Sequence, residues 1–205
     1  TDHGYQQFVE TLRTMRGAAL KIGQWMSLQE ESMLPQPLAE ALRSVHSTAH
    51  HMPETQLHQQ MSAAFGEDWR SNVFSDFTDE PVAAASIGQV HTATLSEESG
   101  SGTQQVAVKV QYPGVASSID SDLNNLQLLV RLAGILPKGL FIDNIIRVGR
   151  NELKAECDYE LEAHHQHTYK QLLDADPNLS TTFTIPEVFP SLSSKHVLVS
   201  EWMSE

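Results

Sequence analysis

The stretch Gln105–Gln111, with the sequence QVAVKVQ, decides how this chain folds. Its β-branched valines alternate with other residues, which is the period of a β-strand. Lys109 is the charged residue among them, and an ammonium group in an apolar strand costs free energy unless an anionic partner lies close by. The pattern predicts a strand whose lysine binds phosphate. The alternative is an ordinary lysine on the solvent face.

Two segments around this strand favour the phosphate interpretation. The sequence AAASIGQV at 83–90 precedes it, and the acidic sequence ECDYELE at 156–162 follows it. A loop of small residues, a strand with one lysine and an acidic helix occur in this order in a kinase-type nucleotide cradle. There the loop backbone approaches the phosphates, and a helix carboxylate holds the lysine in place. The unusual feature is alanine where an ordinary kinase has glycine.

Three carboxylates are candidates for this ion pair and for other partners. Glu156, Asp158 and Glu162 are predicted to lie on one helix. Asp158 and Glu162 are four residues apart and share a face, whereas Glu156 points elsewhere. The alternative interpretation is a solvent-exposed acidic face.

A third candidate element is Lys21-Ile22-Gly23-Gln24, within a predicted amphipathic helix. Glycine inside a helix costs about 1 kcal/mol relative to alanine. Its presence between a lysine and a glutamine suggests that another element approaches the backbone closely. The alternative is a flaw in an ordinary surface helix.

The overall pattern predicts an α+β fold. A helical extension at 1–72 includes a helix at Glu54–Phe65 that Gly66 ends. A small antiparallel sheet with helices against it occupies 73–205. Within this second part, helices are predicted at 118–136 and 141–173, and strands beyond the central hairpin at 184–188 and 196–201.

Composition excludes several functions. Twenty-six acidic residues outnumber 13 basic ones, which gives a formal net charge of −13. This charge argues against nucleic acid as a partner and against electrostatic binding to anionic membranes. No apolar run approaches the roughly 20 residues of a transmembrane helix. Cys157 is the single cysteine, so no disulfide forms within the chain.

Other catalytic and metal-binding chemistries are disfavoured. His46 and His50 have a spacing that can hold zinc, but no cysteine pairs accompany them or the second histidine group at 164–167. We predict no metal site among them. Cys157 lies between two acidic residues, which disfavours a thiolate nucleophile. The sequence contains no G-x-S-x-G, Walker A or dinucleotide-binding motif.

Four strings occur together in one order, and they carry a specific resemblance. They are RGAALKIGQ at 16–24, AAASIGQVH at 83–91, VAVKVQYPG at 106–114 and ECDYELEA at 156–163. On these strings the chain resembles the UbiB family of atypical protein-kinase-like proteins, whose aarF-domain members support coenzyme Q biosynthesis. The resemblance covers nearly the whole chain. It is strongest to the mitochondrial members, which are more like ATPases or small-molecule kinases than protein kinases.

The resemblance implies a role for each string. Lys21 and Gln24 match the KxGQ signature of a helical extension that packs over the nucleotide pocket and obstructs a protein substrate. Glu156 and Asp158 match the ExD signature that meets this extension. Lys109 matches the phosphate-binding lysine. Glu162 is the favoured ion-pair partner of this lysine, and Glu156 is the alternative.

The resemblance also implies a nucleotide-binding set. It comprises the alanine-rich loop, neighbouring strand positions and a hinge that meets the adenine. Its members are Ala83, Ala84, Ala85, Ser86, Ile87, Val90, Ala107, Lys109, Glu201, Trp202 and Met203. The ligand is ATP or ADP.

The family's catalytic Asp and its Mg²⁺ ligands follow the hinge, in a second lobe. We therefore expect this chain to be the extension and small lobe of a larger protein, with phosphoryl transfer belonging to that parent. The resemblance implies a mitochondrial location at the matrix side of the inner membrane. It also implies coenzyme Q biosynthetic proteins, lipid or quinone precursors and a second copy as partners. The alternative is a non-catalytic, pseudokinase-type regulator that binds a protein or lipid.

Overall fold

The fold is seen in a computed structural model, which describes residues 51–85, 87–100, 102–133 and 142–204. These residues form two compact units. One contains 114–133 and 142–155, and the other contains 51–113 and 156–204, with the gaps just given. The part of the predicted helical extension before residue 51, and with it Lys21 and Gln24, lies outside the described residues, as does Ser86. The domain boundary predicted between 72 and 73 stays a prediction.

The larger unit is built on an antiparallel sheet of five strands. The strands are β1 Phe74–Phe77, β2 Ala83–Ala84, β3 Gly88–Leu95, β4 Gln105–Gln111 and β5 Val197–Glu201. Their order is β1-β3-β4-β5, and β2 pairs with β3 at one end. The predicted strand at Gln105–Gln111 is confirmed, and so is the hairpin that it forms with the strand before it.

Buried and half-buried side chains alternate along β4, so the core residues and Lys109 lie on opposite faces of the strand. The side chains of Val106, Val108 and Val110 are fully buried. Ala107 and Lys109 are half-buried on the other face of the strand. Successive side chains of a strand point to opposite faces, so the valines place Lys109 on the face away from this part of the core.

Two helices precede the sheet, α1 Glu54–Phe65 and α2 Trp69–Asn72. The prediction for α1 is confirmed, and Gly66 follows it with a φ of 88°. Trp69 is fully buried, and its ring lies edge-on to Phe77 of β1 with centroids 4.9 Å apart. This aromatic contact fixes α2 against the strand.

The smaller unit contains α3 Val115–Ala133 and most of α4 Ile142–Glu156. Ile119, Leu123 and Leu126 are buried at helical spacing on α3. On the exposed side, Asp120 of α3 forms ion pairs with Arg150 and Lys154 of α4. Hydrogen bonds from Lys154 and Arg150 hold the pKa of the Asp120 carboxyl below its ordinary value. Within the described ranges, no helix is long and apolar enough to cross a membrane.

The single helix predicted at 141–173 is wrong. The chain forms α4, which ends at Glu156, and then α5 Tyr159–Asp174. Between them, Asp158 has an extended backbone, and its side chain accepts a hydrogen bond from the Leu161 amide at 3.2 Å. The carbonyl of Cys157 accepts a buried hydrogen bond from the Gln111 side chain at 3.0 Å. The break is therefore fixed by an N-cap and by a contact from β4.

The strand predicted at 184–188 is also wrong. It forms only an isolated bridge, between Val188 and Ser200. Pro186 has no amide hydrogen to give to a sheet, and Pro190 begins a 3₁₀ turn at Pro190–Leu192. The other predicted strand, at 196–201, is confirmed as β5. A short helix, α6 Pro177–Ser180, follows α5.

Candidate nucleotide-binding site

The central contact of the site is an ion pair between Lys109 of β4 and Glu162 of α5. The Lys109 Nζ lies 2.6 Å from Oε1 and 2.9 Å from Oε2 of Glu162. The two side chains are 25% and 37% exposed, respectively. The ammonium group is thus anchored by protein and still reachable from solvent, which a phosphate-binding lysine requires. The predicted catalytic roles of both residues stay predictions.

Tyr159 supplies the second contact with Lys109. The ammonium nitrogen lies over the Tyr159 ring, 4.6 Å from its centroid. Tyr159 is fully buried and precedes Glu162 by three residues on α5, so both side chains lie on one face of the helix. Sequence reasoning missed Tyr159. The i, i+3 spacing between an aromatic residue and the candidate carboxylate was the available signal.

The Tyr159 hydroxyl group is buried and makes no hydrogen bond with any described residue. Burial raises its pKa well above the ordinary value, and the negative charge of Glu162 raises it further. The hydroxyl is therefore neutral at physiological pH, and the ring faces Lys109 as an uncharged group.

The alanine-rich segment forms part of the sheet rather than a free loop. Ala83 pairs with Val90, and Ala84 pairs with Gln89, in a β2–β3 hairpin. Inside the turn, the Ala85 amide donates to the Gly88 carbonyl at 2.9 Å. Ala83 and Ala84 are exposed. The two alanines thus expose a backbone with small side chains at the end of the strand that lies beside Lys109.

Gly88 is a second residue that sequence reasoning left out of the site. A Cβ atom at this position would lie 2.3 Å from the Val110 carbonyl oxygen and 2.9 Å from the Tyr159 hydroxyl oxygen. No side chain fits between these groups. The close approach of β3 to β4 and Tyr159 therefore requires glycine. Glycine inside a strand was the available signal.

Two predicted nucleotide-binding residues share a face with Lys109. The β3–β4 register places Val90 directly opposite Lys109, and Ala107 precedes the lysine by two positions on the same face. Ile87 is different, since its side chain is buried. Its carbonyl oxygen accepts a hydrogen bond from the Tyr112 amide at 2.9 Å, and its role in nucleotide binding stays a prediction.

The predicted hinge residues follow the end of β5. Glu201 is the last residue of the strand, and its amide donates to the Glu187 carbonyl at 2.7 Å. The Trp202 amide donates to the Gln105 carbonyl at 3.1 Å, so this residue stays next to the start of β4. Met203 is exposed. The role of these three residues in binding adenine stays a prediction.

The two ExD residues lie on either side of the break between helices. Glu156 is the last residue of α4, whereas Asp158 is the N-cap of α5. The prediction that they share one helix with Glu162 is wrong, because Asp158 ends the first helix and begins the second. The carboxylate that pairs with Lys109 is that of Glu162. The meeting of Glu156 and Asp158 with Lys21 and Gln24 stays a prediction.

Cys157 lies between these two acids. Burial raises the pKa of its thiol to about 11, and the nearby Glu156 charge adds to this effect. The thiol is therefore protonated at neutral pH and is a poor nucleophile.

A buried chain of hydrogen bonds lies on β3 and was not predicted. The Met52 amide donates to Gln89 Oε1 at 2.8 Å. Gln89 Nε2 lies 2.9 Å from His91 Nε2, and His91 Nδ1 lies 2.8 Å from the Thr78 carbonyl oxygen. Since a carbonyl only accepts, His91 donates from Nδ1 and accepts at Nε2. These hydrogen bonds connect the segment before α1 to the sheet.

The described residues do not provide a metal centre. Within 51–85, 87–100, 102–133 and 142–204, no group of three or more His, Cys, Asp or Glu side chains is placed to hold a metal ion. His46 and His50, whose spacing could hold zinc, lie outside these ranges.

The sheet, the lysine–glutamate pair and the alanine-rich strand define a kinase-like small lobe. The chain belongs to the ABC1 atypical kinase-like domain family, whose model matches residues 44–205. This confirms the membership expected from the four sequence strings. The predicted α+β, kinase-like fold class is also confirmed.

Similar proteins include mitochondrial atypical kinases. Over 97% of its length the chain is 46% identical to the atypical kinase COQ8, mitochondrial, of Saccharomyces cerevisiae, and covers 38% of that protein. Over 95% of its length it is 46% identical to the atypical kinase coq-8, mitochondrial, of Caenorhabditis elegans, and covers 24% of that protein. The chain thus spans about a quarter to two fifths of the length of these relatives.

A solved structure shares the fold. It is the complex of Rv3197 with erythromycin from Mycobacterium tuberculosis, with a TM-score of 0.57 and 31% sequence identity. The match covers 99% of this chain and 49% of that one. The match therefore extends over nearly all of this chain.

Proposed function

We propose that this chain binds ATP or ADP at Lys109, as part of an atypical kinase or ATPase that supports coenzyme Q biosynthesis in mitochondria. The observation that carries the proposal is the anchored but accessible ammonium group of Lys109. Family membership and the mitochondrial names of the relatives support the wider role.

The charge of the chain makes a local cation necessary for phosphate binding. With a formal net charge of −13, the chain as a whole repels anions. An ammonium group has three N–H donors, and the two short contacts to Glu162 leave donor capacity for a phosphate oxygen. Lys109 would neutralise phosphate charge, and Glu162 would keep it in place.

The exposed backbone of Ala83 and Ala84 is proposed as the wall beside the phosphates. Small side chains there leave room for a ligand near the strand end. The proposed adenine contacts are Glu201, Trp202 and Met203, at the end of β5. Ser86, Ile87, Val90 and Ala107 complete the proposed pocket.

Magnesium is proposed to enter with the nucleotide and to be held elsewhere in the parent protein. Among the described residues, no group of three or more His, Cys, Asp or Glu side chains is placed to hold a metal ion, and phosphoryl transfer in kinases needs Asp and Asn ligands that follow the hinge. We likewise propose, from the family, a matrix-side location at the inner membrane. Coenzyme Q biosynthetic proteins, lipid or quinone precursors and a second copy are the proposed partners.

The decisive experiment is nucleotide binding by the whole protein with and without Lys109. Isothermal titration with ADP should show at least about tenfold weaker binding by Lys109→Ala, because a charge-assisted phosphate contact is lost. Lys170→Ala is the matched control, since it also breaks a lysine–carboxylate pair on α5, with Asp174 at 3.2 Å. Equal affinities for wild type and Lys109→Ala would refute the proposal. Binding without ATP turnover would instead indicate a non-catalytic regulator.

A further inference from the structure

We propose that Tyr159 is a positioning residue, which fixes the Lys109 ammonium group for phosphate binding and links it to Gly88 at the start of β3. The proposal deepens the proposed function, because it assigns to Tyr159 a role in the same nucleotide site. It rests on three observations on one buried residue.

The first contact is between the ring and Lys109. A cation over an aromatic face is attracted by the electron density of the ring, and the Lys109 nitrogen lies 4.6 Å from the Tyr159 centroid. Glu162 is a partly exposed anchor, since its side chain is 37% exposed. Tyr159 is 0% exposed, so its position is set by the core. The ring therefore adds a buried contact to the carboxylate that holds the lysine.

The second observation is the close packing of the Tyr159 hydroxyl against Gly88, which leaves no room for a side chain at position 88. A Cβ atom at position 88 would lie only 2.9 Å from this hydroxyl oxygen. The Tyr159 side chain thus lies between the lysine and Gly88, the first residue of β3. A group that displaced the ring from position 88 would therefore also disturb the contact with Lys109.

The third contact holds the backbone of Tyr159. Its amide donates to the Lys195 carbonyl at 3.1 Å, and Asp158 caps the helix directly before it. The hydroxyl oxygen, by contrast, has no hydrogen-bond partner among the described residues. The contacts thus place the positioning role in the aromatic ring, and phenylalanine should preserve it.

The competing explanation is that Tyr159 only fills the core. A double-mutant cycle separates the two. If Tyr159 acts through Lys109, replacing it matters only while Lys109 is present. If it acts through general stability, its replacement weakens nucleotide binding equally in a Lys109→Ala background.

The experiment measures ADP affinity of the whole protein for Tyr159→Phe, Tyr159→Leu and each combined with Lys109→Ala. Tyr159→Phe should bind within about twofold of wild type, and Tyr159→Leu about three- to tenfold more weakly, from the loss of a cation–π contact. Tyr159→Leu should have no further effect in the Lys109→Ala background. An equal loss in both backgrounds would overturn the proposal.

Two measurements do not depend on nucleotide. Acetic anhydride labelling, read by mass spectrometry, should modify Lys109 faster in Tyr159→Leu than in wild type, while Lys170 reacts equally in both. In wild-type protein, NMR should show ring-current shifts of the Lys109 ε-methylene protons that Lys170 lacks. Unshifted Lys109 resonances would overturn the proposal even if Tyr159→Leu failed to fold. Failure of the wild type to bind ADP would refute the nucleotide function, and these two measurements would still decide the role of Tyr159.

Discussion

Lys109 and Glu162 are 53 residues apart in sequence, and the lysine nitrogen contacts both oxygens of the glutamate, at 2.6 and 2.9 Å. The pair joins the middle strand of the sheet to α5. Whatever moves this helix therefore also moves the cation that we propose for phosphate binding.

Glu162→Gln should impair function far more than stability. Exposed or partly exposed ion pairs contribute about 1 kcal/mol or less, so the free energy of unfolding should fall by no more than about that amount. ATP turnover should fall on the order of 10- to 100-fold, because a misplaced lysine no longer meets the phosphate. Denaturant unfolding and a turnover assay on the whole protein measure the two effects. Asp174→Asn is the control, since it removes the carboxylate of the Lys170 pair. Turnover equal to wild type in Glu162→Gln would contradict this prediction.

Asp158 offers a way to separate a structural role from a chemical one. Its side chain caps α5 through the Leu161 amide, and loss of an N-cap costs about 0.5–2 kcal/mol. Asp158→Ala should lose this stability, whereas Asp158→Asn should retain it because asparagine caps equally well.

If the ExD signature acts through its charge, Asp158→Asn should keep wild-type stability and still lose activity. Thermal unfolding and ATP turnover, measured together on both variants, distinguish the roles. Full activity in Asp158→Asn would show that Asp158 acts only as a helix cap.

Local patterns allowed most of the larger unit to be predicted. The alternating valines gave the bounds of β4, and Gly66 marked the end of α1, because both signals depend only on neighbouring residues. The break at Cys157 and Asp158 was not predicted. It depends on a hydrogen bond from Gln111, which is 46 residues away in sequence.

The candidate site also contains residues that local patterns predicted and residues whose role depends on contacts distant in sequence. Lys109 was predictable because a lysine in an apolar strand needs a partner. For Tyr159 and Gly88 the sequence offered only a spacing and a glycine within a strand, and neither was used. Their importance arises from the register of β3 against β4 and from the position of α5, which these local signals do not give. The strand predicted at 184–188 shows a local signal that was overlooked. Pro186 has no amide hydrogen to give to a sheet, so the segment forms only an isolated bridge.

Gly88→Ala should destabilise the protein by steric conflict. The new Cβ would lie 2.3 Å from a backbone oxygen of β4, and overpacking of this kind costs about 1–3 kcal/mol. Gly100→Ala is the informative control. Gly100 has a φ of 76° and no atom within 4 Å of a built Cβ, so its cost comes from the backbone alone.

Thermal unfolding of both variants measures these costs. Of the two variants, Gly88→Ala should also weaken ADP binding, since its new Cβ would press on the Tyr159 hydroxyl and that of Gly100→Ala would meet no atom. Equal nucleotide affinity in the two variants would argue against a link between β3 and the lysine.

His91 should make the stability of the protein depend on pH. Burial lowers its pKa below the ordinary 6.5; nearby Arg70 and His51 lower it further, whereas the Thr78 hydrogen bond and Asp79 oppose the shift. The unfolded chain then binds a proton that the folded chain does not. The contribution of neutral His91 to the free energy of unfolding is therefore fully present above pH 6.5. It is lost as the pH drops from 6.5 toward the folded-state pKa.

The hydrogen-bond chain explains what protonation disrupts. His91 Nε2 accepts from Gln89, so a proton on Nε2 would force the Gln89 amide to turn and release the Met52 amide. His91→Gln should lower stability at neutral pH and flatten the slope of stability against pH below 6.5. Denaturant unfolding across that range tests this. An unchanged slope in His91→Gln would assign the pH dependence to another group.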